Sequence, residues 1–331
     1  MVIGLTYDLK STYLKNGFSQ EEVAEFDSES TIEGIEKALH ELGFETERIG
    51  NVYELVSAIS NGKKWDLVFN IAEGLYGVGR EAQVPAILDA YKIPYIFSDP
   101  LVLSLTLHKG LTKHVIRDNG IPTAPFVTIN TISEVENVEL NYPLFVKPAA
   151  EGTGKGITNK SLVRSKAELL AIVSELLQKF NQPVLVEEFL PGREFTVGIV
   201  GTGSTSYPVG IMEISITDKS ADTIYSMFVK ENYVNRVEYT VPEDTVTQQC
   251  YKVALDAWRV LGCKDAGRVD LRMDKNGVPN FIEVNPLAGL NYVYSDLPIL
   301  AYKAGYSYTQ LISEIVTSAL KRLKLNTVTN E

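Results

Sequence analysis

The stretch that decides the fold is Gly267–Pro286, GRVDLRMDKNGVPNFIEVNP. Two runs of alternating character, Arg268–Met273 and Val278–Asn285, flank an Asn276-Gly277 pair. Asn-Gly between alternating runs predicts a β-hairpin with a type I′ turn, because that turn needs positive φ at both central residues. With those residues as the turn, Lys275 faces Val278, Asp270 stands opposite Glu283, and Arg268 stands opposite Asn285. Side chains alternate along a strand, so Arg268, Asp270, Glu283 and Asn285 project from one face and Val269, Leu271, Ile282 and Val284 from the other. Two carboxylates directly opposite each other repel by roughly 0.2–1 kcal/mol, which a chain tolerates when a cation sits between them. Hard oxygen donors at this spacing suit Mg²⁺, which takes one or two carboxylates plus phosphate oxygens and water. A solvated hairpin with Arg268 neutralising Asp270 explains the hairpin alone equally well.

Working outward, the N-terminal part alternates strands with helices. Val2–Tyr7 reads as a buried strand, Asp8–Phe26 as a polar loop, and Thr31–Leu42 as a helix with apolar residues at helical spacing stopped by Gly43. Phe44–Ile49 (strand), Val52–Ile59 (helix), Trp65–Ile71 (strand), Glu81–Tyr91 (helix) and Ile93–Ser98 (strand) continue the alternation. Such a pattern predicts a parallel sheet with covered faces, a doubly wound domain over residues 1–100. The glycines after Trp65–Ile71 (Gly74, Gly77, Gly79) do not form the dinucleotide fingerprint, which argues against a dehydrogenase.

Leu101–Asn119 reads as one helix carrying His108, Lys109, Lys113 and His114, whose default reading is a solvated face. Tyr142–Lys147 is a strand ending in lysine and running into PAAEGTGKGI, where Gly152, Gly154 and Gly156 offer backbone N–H groups to phosphates and Thr153 a hydroxyl. The lysine precedes the glycines, so this is not a P-loop; a flexible turn between strands is the alternative. Ser165–Lys179 (helix), Val184–Phe189 and Glu194–Val200 (strands), Thr205–Ile216 and Tyr225–Tyr239 (strand and loop), Thr245–Leu261 (helix) and Thr309–Leu323 (helix) complete the chain. The expected division is 1–100, 101–188 and 189–331.

At 331 residues the chain exceeds the size at which single cores stop growing, so two or three domains around a shared cleft are expected. A net charge of −11 leaves no basic face for nucleic acid. Cys250 and Cys263 lie in no metal or redox spacing, and two cysteines in a chain this long fit a reducing compartment. Neither a signal peptide nor a membrane-length apolar run is present, so a cytoplasmic protein is expected.

Four motifs in order, FVKPAAEGTGKGI, LVEEFLPGREFTV, LGCKDAGRVDLRMD and FIEVNPLAG, resemble the ATP-grasp superfamily and within it the D-alanine–D-alanine ligase family, from about Trp65 to Lys321. The resemblance implies an α/β ATP-grasp fold, α+β in its C-terminal part. It implies an ATP-dependent carboxylate–amine ligase that forms a peptide bond through an acyl phosphate; a non-catalytic ATP-binding sensor or scaffold of the same fold is the alternative. By position, Lys109 and Lys147 contact phosphates, and the loop at Gly152, Thr153 and Gly154 closes over them. Glu187 binds the adenine amino group, the backbone of Glu188 and Leu190 pairs with the adenine edge, Glu194 holds the ribose, and Lys230 reaches the phosphates on closure. Asp270, Glu283 and Asn285 match the ligands of two Mg²⁺ ions, with Mn²⁺ able to substitute. Arg268, Thr153 and backbone near Gly289 match catalytic positions, Arg268 and Gly289 at the tetrahedral intermediate. The partners implied are small amino-acid or carboxylate substrates and a second copy in a homodimer.

The amino-acid half departs from the family. In place of Gly-Gly-x-Ser and an anchoring glutamate stands GLTYDLKSTYLKNGFSQEE, where Asp8, Glu21 and Glu22 are open alternatives. NIAEGLYGVGREAQ puts Glu73 in place of a histidine and Arg80-Glu81 in place of an acidic pair; Glu231 stands where a tyrosine follows the loop lysine, with Tyr233 nearby. The final loop, LAGLNYVYSDLP, is bulkier than usual, with Tyr292 and Tyr294. An unmatched buried polar group costs about 1–3 kcal/mol, so Glu73, Arg80 and Tyr294 are the candidate substrate residues, for a substrate other than D-alanine; a diverged D-alanine–D-alanine ligase with compensating residues is the alternative.

Overall fold

Strand–helix alternation in the first hundred residues produces a four-stranded parallel sheet. Val2–Thr6 (β1), Glu45–Gly50 (β2), Leu67–Asn70 (β3) and Tyr95–Ile96 (β4) lie in the order β2-β1-β3-β4. The structure, a computed structural model, describes residues 1–216, 237–242 and 245–325. All four residues of β3 are buried, as a strand covered on both faces requires. Helices Lys10–Lys15 (α1), Glu29–Glu41 (α2), Val52–Ser60 (α3) and Gln83–Ala90 (α4) complete this part. Helix α1 falls inside the segment expected to be a loop. It is six residues long without a side-chain cap, and it is held by tertiary contacts that leave no periodic signal: the Tyr13 hydroxyl donates to Asp8 Oδ1 (2.6 Å) and its ring packs on Phe18 and Phe26.

Pro100–Leu107 (α5) and Lys109–Asp118 (α6) replace the single expected helix. The break is at His108, whose backbone leaves the helical region and whose Nδ1 accepts the Leu111 N–H (3.2 Å). A second sheet, β5-β8-β6-β7, is antiparallel and consists of Phe126–Ile129 (β5), Leu144–Pro148 (β6), Leu162–Val163 (β7) and Val184–Glu188 (β8). Helix Lys166–Phe180 (α7) covers it through Leu169, Val173 and Leu176. The third sheet, β11-β10-β9-β12-β13, contains Glu194–Val200 (β9), Tyr207–Ile216 (β10), Val237–Thr240 (β11), Ala266–Met273 (β12) and Pro279–Asn285 (β13). Val246–Val260 (α8) packs on it through Trp258, together with Val102 of α5 and Ile116 of α6. Asp296–Lys303 (α9), which periodicity did not reveal, and Tyr308–Leu323 (α10) join this sheet to the first one in a continuous core that includes Ile3, Phe69, Leu300 and Ile315.

The hairpin β12–β13 forms with Asp270 opposite Glu283 and Arg268 opposite Asn285. Its turn differs from the expected one. Asp274 Oδ1 accepts the N–H groups of Asn276 and Val278 (2.8 and 2.9 Å), and the Asp274 N–H donates to the Val278 carbonyl (3.0 Å). Gly277 is at φ +76° and Asn276 is not in the left-handed region, so the loop has three residues, closed by a glycine in that region. That shift of one residue is absorbed by a bulge at Ile282, beyond which the pairing returns to the expected register. The bulge also corrects the facing of Ile282: Phe281 takes the core position beside Val269 and Leu271, while Ile282 lines the cleft.

Candidate active site

Two adjoining cavities lie between the second and third sheets and the ends of the first, sharing Lys109, Gly152, Arg268 and Glu283. The first has apolar walls at Phe145, Leu190 and Ile282. It also takes in Lys147, Gly154, Glu187, Glu188, Glu194 and Asp270. The second, about 390 Å³, takes in Thr153, Asn285, Gly289, Tyr294 and Glu73. Thus every site residue expected from the sequence and described by the structure lines one cavity or the other, except Arg80. Lys230, with Glu231 and Tyr233, lies outside the described residues.

Lysine placement follows from the break at His108. Helix α6 turns Lys109 and Lys113, one helical turn apart, inward, and Lys113 is fully buried rather than on a solvated face. His114 keeps the exposed position, its ring against Phe126. Lys113 Nζ lies 2.7 Å from Glu187 Oε2, and Lys147 Nζ 3.0 Å from Glu187 Oε1. Burial alone raises the Glu187 carboxyl, but the two ammonium groups outweigh it and bring it down to about 2. Burial lowers Lys113, whereas Lys147, equally buried, is held above the ordinary lysine value by Glu187 and Glu283. Glu188 donates its N–H to the Pro125 carbonyl (2.9 Å) and accepts from Asn141 through its side chain, so its backbone N–H is already engaged.

On the hairpin, Asp270 Oδ1 accepts the Thr196 hydroxyl (2.7 Å) and Oδ2 the Asn285 amide (3.3 Å). Glu283 lies 3.5 Å from Lys109 Nζ. Arg268 donates to Asp296 (2.7 Å) and Asp270 (3.3 Å). Asp296, in the first turn of α9, thus fixes the guanidinium; the sequence reading missed it. Asp270, Glu283 and the Asn285 amide oxygen are a hard donor set that fits Mg²⁺. Among the described residues no three His, Cys, Asp or Glu side chains gather to hold a metal ion.

The glycine loop is held from the N-terminal side by a residue the sequence reading missed. Glu25 Oε1 accepts the Gly152 N–H (2.6 Å), while its carboxylate takes both oxygens to Arg80 (2.8 and 3.1 Å) and one to Lys155 (3.4 Å). A Cβ at Gly152 would lie 2.4 Å from that oxygen, so a side chain there displaces the Glu25 carboxylate from this position. Arg80 also donates to the Ala150 carbonyl (3.0 Å), which is why it faces the loop and not the cavity. Of the open alternatives, Asp8 binds Tyr13 and Gly74, Glu21 pairs with Lys179, and Glu22 caps Ser19; none lines the cavity. Nothing in the spacing of GFSQEEVAEFD distinguishes Glu25, because its partners are 55 and 127 residues away. Thr153 adopts φ +52° at the tip of this loop, an uncommon state for a β-branched residue. Glu25→Gln leaves Arg80 and Lys155 with Glu151 alone, at 3.8 and 3.3 Å. We expect a stability loss of about 2 kcal/mol by denaturant titration; an unchanged unfolding midpoint would show that this contact does not hold the loop.

In the second cavity Glu73 is pushed well up by burial and by Glu81, Glu25 and Asp27. Burial takes Glu81 up to about 7 against the opposing pull of Arg80 and Lys109, with Glu25 adding to the rise; burial does the same to Asp27 despite Thr31. Tyr294 reaches Ser28 Oγ with its hydroxyl (3.3 Å).

A family model described as the C-terminus of D-ala D-ala ligase matches residues 115–317. A D-alanine–D-alanine ligase of Aquifex aeolicus (strain VF5) is 32% identical over 289 residues, 87% of this chain and 94% of that protein. An uncharacterized protein, y4sG, of Sinorhizobium fredii (strain NBRC 101917 / NGR234) is 32% identical over 261 residues, 77% of this chain and 75% of that protein. The crystal structure of D-alanine–D-alanine ligase from Bacillus anthracis complexed with ATP superposes with a TM-score of 0.72 at 23% identity, covering 98% of this chain and 99% of that one; at that identity it speaks for the fold.

Proposed function

Because this chain belongs to the D-alanine–D-alanine ligase family, we propose that its first cavity binds ATP, its second binds two small amino-acid substrates, and the residues between them join the two by a peptide bond. The chain is an ATP-dependent ligase. The observation that carries the finer reading is the sharing of Lys109, Arg268 and Glu283 by both cavities: a phosphoryl donor on one side and a carboxylate on the other meet at the same charged groups. Among the described residues no helix is long and apolar enough to cross a membrane.

In the reaction, a substrate carboxylate oxygen attacks the γ-phosphorus of ATP, ADP leaves, and an acyl phosphate forms. The amine of the second substrate then attacks the acyl carbon, and phosphate leaves. Phe145, Leu190 and Ile282 flank the base, Glu194 takes the ribose, and Lys109 and Lys147 hold phosphate oxygens. Asp270, Glu283 and Asn285 hold Mg²⁺, which when bound neutralises charge on the transferring phosphoryl group. Arg268, oriented by Asp296, and the Gly289 N–H stabilise the tetrahedral oxyanion. The loop at Gly152–Gly154 covers the phosphates and keeps water from the acyl phosphate. The retained hairpin residues favour catalysis over a sensor role.

The test is phosphate release from ATP and Mg²⁺ across D- and L-amino acids, singly and in pairs, with product mass read in parallel. Phosphate matched by a product weighing the two amino acids less one water is expected. ATP binding without stimulation by any amino acid would refute the reading.

A further inference from the structure

We propose that the second cavity takes a substrate bearing an additional basic group, an amino acid whose side chain ends in an ammonium or guanidinium, held by Glu73 and Glu81. This rests on the ligase reading and narrows its substrate class.

The argument is one of charge accounting at fixed positions. Three cations line the cavity among the described residues: Lys10, Lys109 and Arg268. Arg268 is matched by Asp296 at 2.7 Å and Lys109 by Glu283 at 3.5 Å. The adjacent network of Arg80 and Lys155 with Glu25 and Glu151 is neutral in itself, so it has no charge to spare. Among the described residues, what remains is Asp27, Glu73 and Glu81 against Lys10. Neither the Glu73 nor the Glu81 carboxylate makes an ion pair or hydrogen bond with any described residue, whereas Asp27 has Thr31 beside it. Both glutamates stand on well-anchored backbone. Glu73 follows β3, at the end of a parallel strand where ligands of such sheets bind, and Glu81 lies in the single helical turn Arg80–Ala82.

A zwitterionic amino acid brings no net charge, since its ammonium and carboxylate cancel. Alanine at this site therefore leaves the excess of carboxylates as it was: burial pushes both glutamates up, and Glu81 pushes Glu73 further. A substrate with a basic side chain supplies a charge opposite to that excess and gives the Glu73 and Glu81 carboxylates a donor that no described residue provides. A cavity of about 390 Å³ is within the ordinary range of about 300–1,000 Å³ for small-molecule sites. Arg268 and Gly289 line the same cavity as Glu73 and Glu81, so a substrate held by the glutamates has the oxyanion groups within the same space.

The experiment uses the full chain with ATP and Mg²⁺. Phosphate release and calorimetric binding are measured for lysine, ornithine and arginine of both hands, against the neutral analogues norleucine and citrulline and against alanine, each alone and paired with alanine. The basic members are expected to exceed their neutral analogues by about tenfold or more, the scale of a buried charge-assisted contact. Glu73→Gln and Glu81→Gln are each expected to shrink that ratio to about twofold, with the ATP-induced thermal shift retained. If one variant does not fold, the other and the wild-type ratio decide. Citrulline or norleucine matching their basic counterparts, or alanine preferred to all, overturns the proposal and leaves the ligase reading standing. Basic amino acids bound with the expected preference but never turned over would support the proposal and sink the ligase reading. No preference in binding or turnover, with ATP still bound, overturns the proposal.

Discussion

Glu283→Gln is expected to lower kcat/KM by about 10³-fold or more while leaving the protein folded. The substitution keeps the volume and one oxygen but removes the charge, and a metal ion's contribution to a phosphoryl-transfer barrier is several kcal/mol; a 10³-fold loss corresponds to about 4 kcal/mol. Little structural cost accompanies it. Glu283 pairs with Lys109 at 3.5 Å with a fifth of its side chain exposed, and such a partly exposed pair is worth about 1 kcal/mol at most. The ladder partner Asp270 is relieved of a repulsive neighbour, which offsets part of that. Steady-state kinetics over a Mg²⁺ titration, with thermal unfolding as control, checks the prediction: a raised Mg²⁺ requirement and a small change in Tm are expected. Turnover within about tenfold of wild type at every Mg²⁺ concentration would remove Glu283 from the metal site.

That the hairpin could be read at all depends on two local departures that cancel. Asp274 captures the N–H groups of the turn and lengthens the loop to three residues, and the bulge at Ile282 returns the strands to register. Alternation and Asn-Gly were enough to pair Asp270 with Glu283, but neither signal carries the turn type, because side-chain capture by an aspartate competes with the type I′ turn. Parallel strands, the glycine loop and the strand-ending Lys147 were legible because each depends on near neighbours in the chain. Glu25 and Asp296 were not, since their roles lie in partners far away in sequence. Lys113 was illegible for another reason. On a helix that also carries His114 and Arg117, a lysine reads as solvent-facing, and only the break at His108 rotates it inward.

Lys113 makes Glu187 the most exposed point of the design to substitution. Glu187→Gln is expected to lower stability by about 3–5 kcal/mol, the cost of breaking a buried ion pair by removing one partner, and to drop Tm by roughly 10 °C. Here the one carboxylate serves two buried ammonium groups, at 2.7 and 3.0 Å, so the neutral amide removes the counter-charge they share and leaves Glu283 as the carboxylate acting on both. The pH dependence distinguishes this cause from lost packing. In the wild type the Glu187 carboxyl sits at about 2 against an ordinary 4.5. The unfolded chain therefore binds more protons between those values, so this contribution is complete above about pH 4.5 and is lost as pH falls toward 2. The variant lacks that dependence. It gains another: its buried lysines prefer the neutral form, the unfolded chain again binds more protons, and stability rises with pH on the alkaline side. Adding Lys113→Met to Glu187→Gln removes one of the stranded charges and is expected to recover much of the loss, because an apolar replacement of a buried ion pair is often close to neutral. Denaturant titrations of the single and double variants between pH 6 and 10 measure both effects. A single variant whose deficit is constant with pH, and is not relieved by Lys113→Met, would show that Glu187 contributes by shape and not by charge.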